Sequence, residues 1–121
     1  MRTAAAVFVL LAFAAFAIEA DAARYGKRQL WGAIAYNSKT GAYGYSVDVK
    51  TKREAETAAF RQCGSDCDLI KTFRDSCGVV AVVGKRVTWE TGASHEIAET
   101  KALKKCGDGC ATKVWACTSE K

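Results

Sequence analysis

The chain has 121 residues, half of them hydrophobic, with 18 Lys and Arg against 13 Asp and Glu, one His, six Cys and no Pro. That length accommodates one domain of ordinary size rather than several. The net charge of +5 is mild, and its clusters (Lys50-Lys52-Arg53, Lys85-Arg86, Lys101-Lys104-Lys105) are interleaved with Glu54, Glu56, Glu90, Glu96 and Glu99. That is the pattern of a solvated surface, and with no nucleic-acid reading motif beside it, it argues against a nucleic-acid partner.

Residues 1–22 read as an export signal: Arg2, a nearly uncharged run from Thr3 to Ile18, then the small residues of Ala20-Asp21-Ala22 before a cut at Ala23. Glu19 and Asp21 end the apolar run before it reaches the roughly 20 residues of a membrane span, so no stable anchor is expected after cleavage. A secreted or periplasmic protein follows. Its mature form keeps 17 of the 18 basic residues (losing Arg2) and 11 of the 13 acidic ones (losing Glu19 and Asp21), for a charge of +6. Residues 23–29 read as a flexible basic arm carrying the dibasic pair Lys27-Arg28, and residues 30–121 as a single disulfide-rich domain.

That domain is written twice, over residues 30–76 and 77–118. "WGAIAY" (31–36) aligns with "CGVVAV" (77–82), "AYGYS" (42–46) with "RVTWE" (86–90), "TKREAETAAFRQC" (51–63) with "SHEIAETKALKKC" (94–106), and "LIKTFRDSC" (69–77) with "ATKVWAC" (111–117). Each copy predicts strand, turn, strand, helix, cysteine loop, strand. In the first hairpin Tyr43, Tyr45 and Val47 alternate with Ala42, Gly44 and Ser46, the period of a strand with two different faces. "NSKTG" supplies turn chemistry through Asn37, Ser38 and Gly41, as Gly84-Lys85 does more tightly in the second copy.

The helices are announced by Thr51 and Ser94 at capping positions, Thr51 with Glu54 three residues on. Ala55, Ala59 and Cys63, matched by Ala98, Ala102 and Cys106, put a narrow stripe of small residues on one face, on which a helix can lie close to a sheet. Phe60 and Leu103 extend that face and are the expected large core residues. Gly64 and Gly107 follow the last cysteine of each helix, where a chain reversal favours glycine. The fold class is therefore α+β: two ββαβ repeats forming antiparallel sheet packed by two helices.

Six cysteines in an exported chain point to three disulfides, for which fifteen connectivities exist. Repeat symmetry favours Cys63–Cys67 and Cys106–Cys110 as twin loops, leaving Cys77 and Cys117 to join one copy to the other. By loop-closure entropy the long link contributes roughly 4 kcal/mol and each short one about 2 kcal/mol. With one histidine and no second cysteine pair placed as in a zinc ribbon, neither a metal nor any cofactor is expected.

The chemistry of an enzyme is weakly signalled. His95 falls in the first turn of the second helix and reads as a solvent-facing residue near a cap. Asp66, Asp68, Glu54 and Glu56 lack the apolar surroundings that would raise a carboxyl pKa, and no G-x-S-x-G stretch exists. No catalytic residue is singled out. Strand aromatics favour binding instead, with Trp31, Tyr43, Tyr45 and Trp89 as candidates for meeting a protein or glycan partner. An inhibitor or immunity-type protein acting on an exported cell-wall hydrolase is the alternative, and a small secreted hydrolase the third reading.

The order "WGAIAY…TGAYGYS…EAE…A…C…C…F…CG" followed by "A…A…KKCGDGC…VWAC" resembles the exported bacterial domain-of-unknown-function family DUF4189 over residues 30–118, both repeats and all six cysteines included. The resemblance implies a small secreted or periplasmic α+β domain and no agreed catalytic residue.

Overall fold

The computed structural model describes residues 29–119. The expected export signal, and all of the basic arm except Gln29, lie outside the described residues. Elements follow in the order β1 (Trp31–Tyr36), β2 (Tyr43–Val49), α1 (Lys52–Cys63), β3 (Leu69–Arg74), β4 (Cys77–Val83), β5 (Arg86–Gly92), α2 (His95–Cys106) and β6 (Ala111–Cys117). Each copy forms its own antiparallel three-stranded sheet, with strand orders β2-β1-β3 and β5-β4-β6. The first strand of each repeat is thus central in its sheet.

Local chemistry makes these elements. Asn37 closes the first turn: its Oδ1 accepts the N–H groups of Lys39 and Thr40, while Gly41 at φ +85° returns its own N–H to the Asn37 carbonyl. Thr51 and Ser94 cap their helices by accepting the N–H of Glu54 and Ile97. Gly64 at φ +115° and Gly107 at φ +99° end them, and each returns its N–H to a helix carbonyl, on Phe60 and Leu103.

The two sheets lie face to face and each helix covers the outer face of its own sheet, giving four layers. Between the sheets sit Ile34, Tyr36, Phe73, Val80, Val114 and Ala116, with Val47, Leu69, Val82, Val87 and Trp89 at the margins. Outside them, Ala33, Ala35, Ala55 and Ala59 join α1 to the first sheet, and Val79, Ala81, Ala98, Ala102 and Cys106 join α2 to the second. The alanine stripe brings backbone close to backbone. A Cβ at Gly44 would run into the Ala59 carbonyl and the Cys63 amide, and one at Gly92 into the Ala98 amide. Such close seating leaves no space beneath the helices for a large side chain. Phe60 and Leu103 are consequently half-buried at the helix flanks rather than core plugs, and the largest fully buried side chains are Ile34, Val79, Val80 and Cys106.

Phe73 ties the sheets together. Its ring fills the space that a Cβ would need at both Gly32 and Gly78, one glycine on each central strand. It meets Trp89 of β5 with ring centroids 6.2 Å apart. All six cysteines are paired as Cys63–Cys67, Cys106–Cys110 and Cys77–Cys117. The long pair does not cross between copies. Cys77 and Cys117 are direct partners on β4 and β6, with Cα atoms 4.0 Å apart, so it staples strands of the second sheet. The copies are joined covalently only by the short link from Arg74 to Cys77, where Asp75 adopts φ +49°.

Candidate site at the seam between the sheets

A two-layer sandwich of three-stranded sheets has two open seams. The strand contacts place β6 against β1 and β2, and β3 against β4, so one seam runs between β2 and β6 and the other between β3 and β5. The β3–β5 seam opens into a cleft of about 350 Å³ lined by Tyr36, Ser38, Asp68, Leu69, Lys71, Val87, Thr88, Trp89 and Lys105. Alternation explains its lining. Leu69, Lys71 and Phe73 share the inward face of β3, and Val87 and Trp89 the inward face of β5. Phe73 reaches the centre, whereas Lys71 sits nearer the open edge and carries its ammonium into solvent.

The cleft therefore has an aromatic and aliphatic floor with a polar rim. Trp89 is half-buried, its Cη2 edge resting over Gly78. On one side the Ser38 N–H and hydroxyl both donate to Asp68, to Oδ1 (2.9 Å) and Oδ2. These bonds, the hydroxyl's foremost, hold the Asp68 carboxyl below the usual aspartate range. On the other side Lys105 is 3.2 Å from Glu90, and the Thr88 hydroxyl donates to the Ala102 carbonyl (3.1 Å). Among the described residues Lys71 has no carboxylate within 4.0 Å.

The four aromatics singled out by sequence are not brought together. Trp89 lines this cleft. Tyr43 and Tyr45 lie at the opposite seam, on β2, exposed at 45% and 46%. Trp31 stands apart from both, packed beside the alanine cluster under α1 with the Arg74 guanidinium 5.6 Å from its ring centre.

His95 keeps about a third of its side chain exposed (32%), but it does not stand free in solvent as expected. Its ring stacks on Trp115 of β6, centroids 3.7 Å apart and planes at 11°. Its Nε2 is shielded from solvent without a hydrogen-bond partner, 3.7 Å from Glu99 Oε2. That same Glu99 oxygen accepts the Thr112 hydroxyl (2.6 Å). The stack arises because α2, seated over β4 and β5, brings its first turn to the margin of β6, where Trp115 projects on the outer face beside Val79 of β4 and stays nearly half exposed. Among the described residues no group of three His, Cys, Asp or Glu is placed to hold a metal, and His95 has no thiol or hydroxyl nucleophile bonded to it.

The family model described as a domain of unknown function, DUF4189, matches residues 31–117, the whole of this two-sheet unit. The chain belongs to the DUF4189 family. Over 89 residues it is 38% identical to Protein Rv1269c of Mycobacterium tuberculosis H37Rv, covering 73% of this chain and 69% of that one. Protein Mb1300c of Mycobacterium bovis gives the same figures. Among solved structures, the NMR structure of Rv1813c from Mycobacterium tuberculosis is similar with a TM-score of 0.63 at 34% identity, covering 73% of this chain and 74% of that one. In this DUF4189 domain the cleft residues that sequence reasoning does not single out for binding are Ser38, read there only as turn chemistry, Asp68, read only as a carboxylate without apolar surroundings, Lys105, read only as surface charge, and Lys71. A signal for Lys71 existed in the alternation of Leu69, Lys71 and Phe73. None existed for Asp68, whose partner Ser38 is 30 residues away.

Proposed function

We propose that the domain is a non-catalytic binding module that acts outside the cytoplasm and takes an acidic glycan into the β3–β5 cleft. The cleft's composition carries the reading: the half-buried Trp89 indole to pack on a sugar ring, and the Lys71 ammonium, which among the described residues has no carboxylate within 4.0 Å, for a uronate carboxylate. Three disulfides in so small a domain, and an apolar N-terminal run, support an oxidising compartment. Among the described residues no helix is long and apolar enough to cross a membrane.

The test is calorimetric titration of the oxidised protein with a hyaluronan octasaccharide, in parallel with a neutral chitin oligosaccharide. The acidic sugar is expected to bind and to change Trp fluorescence, and Lys71→Glu to weaken it at least tenfold while leaving the circular dichroism unchanged. No binding of the acidic sugar at millimolar concentration, or affinity indifferent to Lys71→Glu, overturns the reading and turns attention to a protein ligand such as an exported hydrolase.

A further inference from the structure

The duplication that makes the β3–β5 cleft makes its counterpart on the other side of the molecule. By repeat alignment, Tyr43 and Tyr45 of β2 stand where Val87 and Trp89 stand on β5, and Gln62 of α1 stands where Lys105 stands on α2. On the facing strand the register sets Leu69 opposite Tyr36 and Ala111 opposite Val82. At one seam Leu69 and Trp89 both pack against the inter-sheet core and line the cleft. At the other the position matching Leu69 is an alanine, and both tyrosines are nearly half exposed, although Val47 on the same face reaches the inter-sheet core.

A cation is supplied there too. The register shift between Val80 and Ala81 sets Val114 against Val80 and Thr112 against Ala81, making Lys113 the extra residue of a bulge on β6. Its Nζ lies 3.7 Å from where a Cβ of Gly41 would be, so it leans across the seam toward the β1–β2 turn. Among the described residues it has no carboxylate within 4.0 Å. A peptide strand pairing along β2 suits this edge poorly. The Tyr45 N–H is already taken by Gln62 Oε1 (2.7 Å), and Asp48, at φ +61° in the β2 irregularity, holds the N–H and hydroxyl of Ser119 (2.7 and 2.6 Å). What remains readable is side chains: two aromatic rings and an ammonium.

We infer that the β2–β6 seam is a second binding site of the same ligand class, formed by Tyr43, Tyr45 and Lys113, so that one domain grips an acidic glycan at two places. This rests on the acidic-glycan reading of the first cleft, but it has its own readout. Titration with the hyaluronan octasaccharide is expected to give two sugars per chain. Tyr43→Ala with Tyr45→Ala, or Lys113→Glu in a chain whose tyrosines are intact, is expected to reduce this to one while preserving the Trp fluorescence change. Lys71→Glu is expected to do the reverse. Polymeric hyaluronan is expected to form light-scattering clusters with the wild type and none with either single-seam variant.

A stoichiometry of one that the tyrosine and Lys113 variants leave untouched removes the second site and spares the first. A stoichiometry of one that those variants abolish and Lys71→Glu leaves untouched keeps this site and removes the first. Absence of any sugar binding removes both.

Discussion

The two copies of the repeat share every element and differ in how each closes its own sheet. In the second, Cys77 and Cys117 face one another across β4 and β6 and are bonded. In the strand register the same pair of positions in the first is Trp31 and Arg74, held by a guanidinium over an indole, so Cys117 corresponds to Arg74 and not to Cys77 as the repeated sequence suggests. The inward partner of the central-strand glycine also differs: Phe73 opposite Gly32, but only Ala116 opposite Gly78. One large ring therefore serves both sheets, and a matching one in the second copy would collide with it. Duplication supplies a scaffold with approximate symmetry, and the core admits one occupant where symmetry would ask for two.

The outer flanks diverge in the same way. Beside α1, Phe60 and Ile70 line a shallow apolar groove with Thr57 and Arg61. Beside α2 the matching flank carries Leu103 and Thr112, and Thr112 bonds to Glu99, which in turn neighbours His95 on Trp115. The sequence placed His95 near a cap, which is where its backbone is. Only the seating of α2 on its sheet, which brings its first turn to the margin of β6, gave its ring a partner.

These contrasts can be broken in turn. The largest effect is expected from Phe73→Ala, which empties the space shared by both sheets and should cost up to about 5 kcal/mol in chemical denaturation. The single-methylene truncation Ile34→Val, made within one sheet, should cost about 1 kcal/mol. A loss below about 2 kcal/mol for Phe73→Ala would show that the sheets are held together by other contacts. Next comes replacement of Cys77 and Cys117 by Ser, which should cost roughly 4 kcal/mol on the loop-closure argument, against about 2 kcal/mol for the same change at Cys63 and Cys67. Equal losses would mean that sequence separation is not what sets their contribution.

The smallest effect concerns Asp68. A carboxyl whose folded pKa lies below its unfolded one stabilises the fold above the unfolded value, about 3.9, and that contribution is lost as pH falls through the lower folded value. Between pH 6 and pH 2.5 the melting temperature of the wild type should therefore fall more than that of Asp68→Asn, with most of the difference appearing below pH 4. Parallel curves would remove the Ser38–Asp68 clasp as a contributor.

Element order, caps, turns and the three cysteine pairs were legible in the residues because each depends on neighbours close in the chain or on the repeat itself. Thr51, Asn37, Gly64 and the alanine stripe all act within one turn of helix or one hairpin. The clefts were not legible. Their linings join Tyr36 to Val87 and Leu69 to Trp89 across the space between sheets, and that juxtaposition follows from how two layers stack.

The amino-acid sequence alone determined that this protein is a doubled ββαβ unit with its sulfurs paired, since periodicity, capping and duplication are local properties. Whether the doubled unit forms one sheet or two, which face of β2 the helix covers, and which aromatics meet solvent were decided by tertiary packing. The physical reason is volume. Alanines and glycines draw each helix onto its sheet, Phe73 fills the single gap between the central strands, and the edge residues face whatever space the stacked layers leave open.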